Sequence, residues 1–173
     1  MSVEVLEKAT RRALEDFEFF VRNCVVIRDK KGRVRPFKLN STQRKLLQRV
    51  EEKRLAGKPV LVVILKARQM GVSTFVEAYM LWRLLREANK RGLVVAHTKD
   101  TARDILGITK FAIKMLPDWF RQLTGAREEY STKFEVQFAH NGSSLRISSA
   151  EATEPGRGGT LHFLHLSEAA FYP

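Results

Sequence analysis

The sequence predicts an α/β fold, a predominantly parallel sheet flanked by helices. The aliphatic run at 60–65 has the character of a strand buried on both faces, and it stops at a loop that leads into a helical pattern. A second apolar stretch, at 161–166, ends in a hydroxyl and a carboxylate. Strand, loop and helix in this order are typical of sheets built from βαβ units.

The elements before the loop follow from helical spacing and capping residues. Apolar residues at helical spacing predict a helix over 3–22. A glycine-containing turn at 29–33 separates it from a helix that opens at Asn40 or Ser41, both good N-caps. Gly57 and the proline two residues later are expected to end that helix before the aliphatic run.

The elements after the loop alternate between helix and strand. The loop is followed by a helix with apolar residues at three- and four-residue spacing, then by a strand at 93–96 and an amphipathic helix at 100–116. Strands at 134–138 and 144–149 flank Asn141-Gly142, a strong hairpin signal. His97 ends one strand where open α/β sheets bind ligands, although an ordinary strand-helix junction is the alternative.

The loop after the aliphatic run carries the groups that a nucleotide's phosphates need, in a displaced order. Against the pattern G-x-x-x-x-G-K-[ST], Gly71 and Ser73 fit, whereas Lys66 replaces the first glycine and Val72 the lysine. Phosphates require backbone N–H groups at a helix N-terminus, a cation, and a hydroxyl for Mg²⁺. Gly71 permits close approach, Ser73 supplies the hydroxyl, and Lys66 and Arg68 supply cations. An ordinary helix start is the alternative.

The second strand end carries the group that hydrolysis needs. Nucleotide hydrolases place an acidic strand end beside the phosphate loop, where one side chain holds Mg²⁺ and another orients the attacking water. Ser167 occupies the metal-side position, and Glu168 the catalytic one, since polarising water takes a carboxylate within hydrogen-bond reach. With the loop, this strand predicts a P-loop NTPase fold of the RecA/ASCE type, with Mg²⁺ near Ser73, Ser167 and Glu168. A carboxylate that caps a strand is the alternative.

Four segments resemble the N-terminal ATPase domain of phage terminase large subunits, the DNA-packaging motors. They are KARQMGVST (Lys66–Thr74), HLSEAAFYP (His165–Pro173), FKLNSTQRKLL (Phe37–Leu47) and PGRGG (Pro155–Gly159). The resemblance implies that the chain binds and hydrolyses ATP with Mg²⁺. In that family a nuclease domain follows and cuts concatemeric DNA.

The resemblance also implies roles for individual residues. Nucleotide binding would fall to Gln43, which would read the adenine edge, and to the loop residues Lys66, Ala67, Arg68, Gln69, Met70, Gly71, Val72, Ser73 and Thr74. Glu168 would be the catalytic carboxylate. Arg157 would be an arginine finger in the same or a neighbouring subunit, with Arg68 as a competing finger in cis. A surface pair between Arg157 and Glu154 is the alternative.

Two departures from the family pattern bear on these roles. Ser167 stands where many relatives have aspartate, so two roles stay open for it: direct contact with Mg²⁺, or a hydrogen bond to a metal-bound water. The sequence stops five residues after Glu168. We therefore expect an N-terminal helical segment at 1–35 and an ATPase domain at 36–173 that is truncated after its acidic, Walker B-like strand and lacks the nuclease domain.

Composition indicates one domain, a polyanionic partner and no membrane. The chain has 173 residues, of which 44% are hydrophobic, enough for one domain with a sizeable core. Its 31 Lys and Arg residues against 19 Asp and Glu give a net charge of +12, which favours nucleic acid contacted through its backbone. No run approaches the ~18 apolar residues of a membrane span. Cys24 is the single cysteine, so a reducing cytoplasm is expected.

For the full-length protein, the resemblance implies a motor that drives double-stranded DNA into a procapsid. Its partners would be further copies in a homo-oligomeric ring, the portal and the small terminase subunit, in the host cytoplasm. Two other functions stay open. A helicase-like DNA translocase shares these motifs but needs a second RecA-like domain. A truncated nucleotide- or DNA-binding module that does not hydrolyse ATP is favoured by Val72 and Ser167, which replace the usual lysine and aspartate.

Overall fold

The structure, a computed structural model, describes residues 2–29, 31–67, 69–152 and 159–172. The helices within these ranges are α1 (Val3–Glu15), α2 (Phe17–Cys24), α3 (Ser41–Leu55), α4 (Val72–Arg86), α5 (Lys99–Lys114) and α6 (Asp118–Thr124). The strands are β1 (Val26–Arg28), β2 (Val34–Pro36), β3 (Arg91–Ala96), β4 (Glu128–Ser131), β5 (Glu135–Phe138), β6 (Ser144–Ser149) and β7 (Phe163–Leu166).

The main sheet has five strands in the order β4-β5-β6-β3-β7. β3 pairs in parallel with β6 on one side and β7 on the other, whereas β4 and β5 complete the sheet as antiparallel strands. The predicted α/β class is confirmed. The hairpin predicted around Asn141-Gly142 is confirmed as well, since Gln137 pairs with Ser144 across that turn.

Helices α4 and α5 pack on one face of the sheet and build the core with it. The largest fully buried side chains include Trp82, Phe75 and Phe120 from helices and Phe138 and Leu145 from strands. β3 lies between α4 and α5 in the chain, and its residues after Arg91 are all buried. An aliphatic strand between two parallel neighbours loses solvent on both faces, as such strands do in α/β proteins.

The N-terminal helices belong to the same core. The indole N–H of Trp82 donates to the carbonyl of Ala13 at 2.9 Å, and the ring of Phe17 lies 5.6 Å from that of Phe75. The single helix predicted over 3–22 is wrong, because the chain breaks at Asp16. Asp16 adopts an extended conformation and its side chain accepts the N–H of Phe19, which caps α2.

The aliphatic run at 60–65 is not the buried strand that its composition predicts. Its even-numbered side chains are 37–42% exposed and its odd-numbered ones 81–102% exposed, an alternation typical of extended chain with one side in solvent. It belongs to neither sheet, because it makes no ladder with any described strand, and β7 remains an edge of the five-stranded sheet. Without a ladder partner, an aliphatic sequence does not form a strand.

Four smaller elements were not predicted. β1 and β2 form an antiparallel hairpin around the glycine-containing turn, where the Asp29 side chain accepts the N–H groups of Lys31 and Arg33. α6 follows Pro117 at once, and β4 is an exposed edge strand. None of the described helices is long and apolar enough to cross a membrane.

Candidate functional site

The loop before α4 contains two residues in the left-handed region. Gln69 has a φ of 65° and Gly71 a φ of 70°. The left-handed backbone favours glycine at 71, and a Cβ added there would lie 2.9 Å from Nε2 of Gln43 and would displace that amide. The two left-handed residues turn the chain sharply between the extended run and the helix.

The first turn of α4 lacks the side-chain cap that three other helices have. Asp16, Asn40 and Thr98 each accept a backbone N–H of the helix that follows them, whereas Gly71 has no side chain with which to cap α4. The N–H groups of a helix's first turn have no partner within the helix, and together with the helix dipole they favour an anion. Lys66 is exposed on the same loop.

Gln43 anchors this loop to the start of α3. Its Oε1 accepts the N–H of Asn40 at 2.9 Å, and its Nε2 donates to the carbonyl of Gly71 at 2.8 Å. The side chain of Asn40 also donates to the carbonyl of Met70, at 3.3 Å. The structure thus brings two sequence-predicted segments, 37–47 and 66–74, into direct contact. Gln43 is 3% exposed, so reading a base edge would rely on its second Nε2 hydrogen, and that role stays a prediction.

The acidic strand end is held in a tight turn. Pairing with β3 continues past β7, since the N–H of Ser167 donates to the carbonyl of Val95 at 2.8 Å. Glu168 then adopts a left-handed conformation, φ 58° and ψ 38°, with its side chain exposed. The chain folds back so that the hydroxyl of Tyr172 donates to the same carbonyl at 2.7 Å.

Backbone strain concentrates at these two places. Among the described residues, the non-glycine residues with positive φ are Gln69, Asn89 and Glu168. A left-handed non-glycine residue costs of the order of 1 kcal/mol and persists where its surroundings impose it, often at functional sites. Two of the three lie in the two motifs that the sequence singled out.

The strands β6, β3 and β7 end at a common edge, and buried polar atoms without partners lie there. Ser149 is the last residue of β6 and pairs with Ala96, and His97 follows Ala96. Among the residues that the structure describes, neither Oγ of Ser149 nor Nδ1 of His97 has a hydrogen-bond partner. Polar ends of neighbouring parallel strands are where open α/β sheets bind ligands.

Sequence reasoning missed a contact that joins the two motifs. Glu77 on α4 is completely buried, and its Oε1 lies 2.9 Å from Nδ1 of His165 on β7. The hydroxyl of Thr109 on α5 donates to Oε2 of Glu77 at 2.8 Å. The available signal was a single carboxylate within the otherwise apolar stretch 75–82.

The residue types at the site fit Mg²⁺. Within the described ranges, no three His, Cys, Asp or Glu side chains cluster tightly enough to hold a metal on their own. Mg²⁺ needs no such cage, because it takes oxygen ligands, keeps several waters and is often held by one or two protein groups plus substrate phosphates. The hydroxyl of Ser73 and the carboxylate of Glu168 are ligands of that kind. Arg68 and the segment 153–158, which includes Glu154 and Arg157, lie outside the described residues.

Solved structures share this architecture, whereas no family model matches the chain. The large terminase ATPase domain of Thermus phage P74-26 is similar over 75% of this chain, with a TM-score of 0.56 and 21% identity, and an arginine-to-alanine mutant of it scores 0.57. The large terminase of bacteriophage HK97 is similar over 91% of this chain, with a TM-score of 0.68 and 16% identity. The chain has the fold of a large terminase ATPase domain.

This chain matches only part of each of these terminase structures. The similar regions cover 59% of the P74-26 domain and 30% of the HK97 protein, so this chain spans less than two thirds of either. Within that span, both predicted motifs and the helix between the loop and β3 are present.

Proposed function

We propose that this chain binds and hydrolyses ATP as the motor part of a phage large terminase. The observation that carries the proposal is the loop before α4: a left-handed turn that leads into a helix without a side-chain cap, on a terminase ATPase fold. That arrangement leaves backbone N–H groups for the β- and γ-phosphates. Lys66, exposed at the start of the loop, replaces the lysine that Val72 cannot provide.

Each remaining step of hydrolysis has a candidate residue. Ser73 and Ser167 would hold Mg²⁺, Ser73 through its hydroxyl and Ser167 through an intervening water. Mg²⁺, when bound, neutralises charge that develops on the β- and γ-phosphate oxygens. Glu168 orients and polarises the attacking water, and its exposed carboxylate is free to face a substrate. Arg157, or Arg68 in cis, supplies the finger that stabilises the transition state.

Steady-state ATP hydrolysis with and without double-stranded DNA tests this proposal. Lys66→Ala and Glu168→Gln should each lower kcat by about 100-fold or more, because each removes a group that acts on charge or water in the transition state. The matched controls are Lys58→Ala and Glu128→Gln, which remove the same charges from exposed positions outside the motifs. Equal loss in variants and controls would refute the assignment.

ATP binding separates the motor from the second candidate function. Val72 and the unpaired run at 60–65 favour a module that binds nucleotide without hydrolysing it. Glu168→Gln should keep its ATP affinity within about twofold if Glu168 acts on water alone. Tight ATP binding with no turnover in wild type would favour the module. Turnover that Glu168→Gln leaves unchanged would instead refute the catalytic role of Glu168.

The partner of the motor would be double-stranded DNA in a packaging complex. A net charge of +12 supports contacts with phosphates, which position a protein without reading sequence. Affinity should therefore fall steeply between 50 and 200 mM salt, and should differ little between two DNA sequences of equal length. A homo-oligomeric ring, the portal and the small terminase subunit in the host cytoplasm complete the proposal. A helicase-like translocase would prefer single-stranded DNA in the same assay.

A further inference from the structure

A buried carboxylate connects the helix that begins at the phosphate loop to the acidic strand. Glu77 has no exposed surface, and its two oxygens contact His165 on β7 and Thr109 on α5. Burial of a carboxylate costs several kcal/mol unless hydrogen bonds or an opposite charge compensate. Glu77 therefore holds α4, α5 and β7 in one arrangement, because a shift of any of them would leave its oxygens without partners.

On both elements, the contact lies a short step along the chain from a predicted metal-site residue. On α4, Ser73 and Glu77 are four residues apart and so share one face of the helix. On β7 and its continuation, His165 and Ser167 are two residues apart and share one face of the strand. The face that carries the Ser73 hydroxyl thus continues to Glu77, and the face of Ser167 continues to His165.

A second contact between α4 and β7 fixes their relative direction. The guanidinium of Arg83 lies 5.2 Å from the ring centre of Phe163, while Glu77 contacts His165. Moving forward along β7 therefore corresponds to moving backward along α4, so the two elements run antiparallel. One further step along the strand reaches Ser167, and one turn back along the helix reaches Ser73.

The two steps have nearly the same length. Four residues of α-helix rise about 6.0 Å, and two residues of a strand rise about 6.6 Å. From these rises, we infer that Ser73 and Ser167, the residue before Glu168, lie at a similar level of the interface between α4 and β7.

We propose that Glu77 is a positioning residue that fixes the register of α4 against β7 and thereby sets the Ser73 and Ser167 hydroxyls opposite each other for Mg²⁺. The inference rests on the proposed ATP hydrolysis for its metal, but the register itself is a property of the chain without nucleotide. Because Glu77 fixes this register, the phosphate loop and the catalytic carboxylate move as one unit.

Amide hydrogen exchange of the full chain without nucleotide tests the register. In Glu77→Gln, the N–H of Ser167 and the N–H of Phe75, bonded to the carbonyls of Val95 and Gly71, should exchange at least about tenfold faster than in wild type. The N–H of Ala150, bonded to Ala96 in the same sheet, should be unchanged. His165→Gln removes the other partner of the contact and should give the same pattern, so the result would not depend on a single substitution.

The matched control is Tyr79→Phe, which removes another partly buried hydrogen bond of α4, the one from the Tyr79 hydroxyl to Glu51. It should leave both site amides unchanged. Uniform acceleration across the sheet in Glu77→Gln, or acceleration at Ser167 without any at Phe75, would overturn the register inference.

ATP affinity with Mg²⁺ and with EDTA tests the consequence for the metal. Glu77→Gln should keep the affinity in EDTA within about twofold and lose the gain that Mg²⁺ provides, with kcat reduced about 10- to 100-fold, as for residues that orient metal ligands. Unchanged Mg²⁺ dependence in Glu77→Gln would overturn the positioning role while leaving ATP hydrolysis intact. A wild type that binds no ATP would instead refute the proposed function, and the exchange experiment would still decide the register.

Discussion

Two aliphatic runs of this chain have almost the same composition, but one is buried and the other is exposed to solvent. β3 contains Leu93–Ala96, whose side chains are 0–4% exposed, whereas the run at 60–65 is an extended segment with three side chains almost fully in solvent. β3 has β6 and β7 as ladder partners, and the run has none among the described strands. An aliphatic composition therefore permits burial in a sheet, and backbone pairing with neighbouring strands decides whether the segment is buried.

The largest test of this difference is a carboxylate placed in each run. Val94→Asp should destabilise the fold by about 4 kcal/mol or more, because an unpaired charge would be buried between two parallel neighbours. Val63→Asp should change the free energy of unfolding by no more than about 0.5 kcal/mol, because that side chain is already in solvent. Urea denaturation followed by circular dichroism measures both.

The two variants control each other, since each makes the same exchange in an aliphatic run. Similar destabilisation by Val63→Asp and Val94→Asp would show that the run at 60–65 is buried in solution. The contrast between the runs would then be wrong.

Alkaline stability tests the packing beside α4, on the paired side of the comparison. Burial, and next the hydrogen bond to Glu51, raises the pKa of Tyr79 to about 12, and burial raises the pKa of Cys24 to about 12. The folded state then keeps protons that the unfolded chain has released, so stability is complete below the ordinary values of 9.0 for Cys24 and 10.0 for Tyr79 and is lost as pH rises towards 12.

Tyr79→Phe should remove one of these contributions. Between pH 10 and 12, the fall in unfolding free energy should be shallower by up to about 1.4 kcal/mol per pH unit, the value of one proton. Tyr130→Phe, on the exposed strand β4, is the matched control and should leave the slope unchanged. Equal slopes for wild type and Tyr79→Phe would mean that the side chain of Tyr79 is as exposed to solvent as the side chains of the run at 60–65.

The same distinction explains which parts of the molecule the sequence could predict. The start of α3 at Ser41 and the strand β6 were predicted correctly, because an N-cap and a two-residue turn are local signals. The missing ladder of the run and the contact between Glu77 and His165 were not predicted, because both depend on residues far apart in the chain. The phosphate loop and Glu168 were found through their motifs, but the left-handed conformations of Gln69 and Glu168 carry no sequence signal of their own.

The smallest expected change in stability comes from removing the exposed side of the run. Replacing Leu61, Val63 and Leu65 together by serine should alter the unfolding free energy by no more than about 0.5 kcal/mol, because folding removes little of these side chains from water. Self-association should nevertheless fall, since an exposed aliphatic segment favours contact with another chain. Sedimentation velocity over a range of concentrations measures this effect.

The matched control replaces Val60, Val62 and Ile64 by serine. It alters the half-buried side of the run and should destabilise the fold while reducing association less. If the two triples behaved alike, the alternation of exposed and half-buried side chains along the run would have no effect on stability or association. The run at 60–65 would then differ from β3 only in how much of it is exposed.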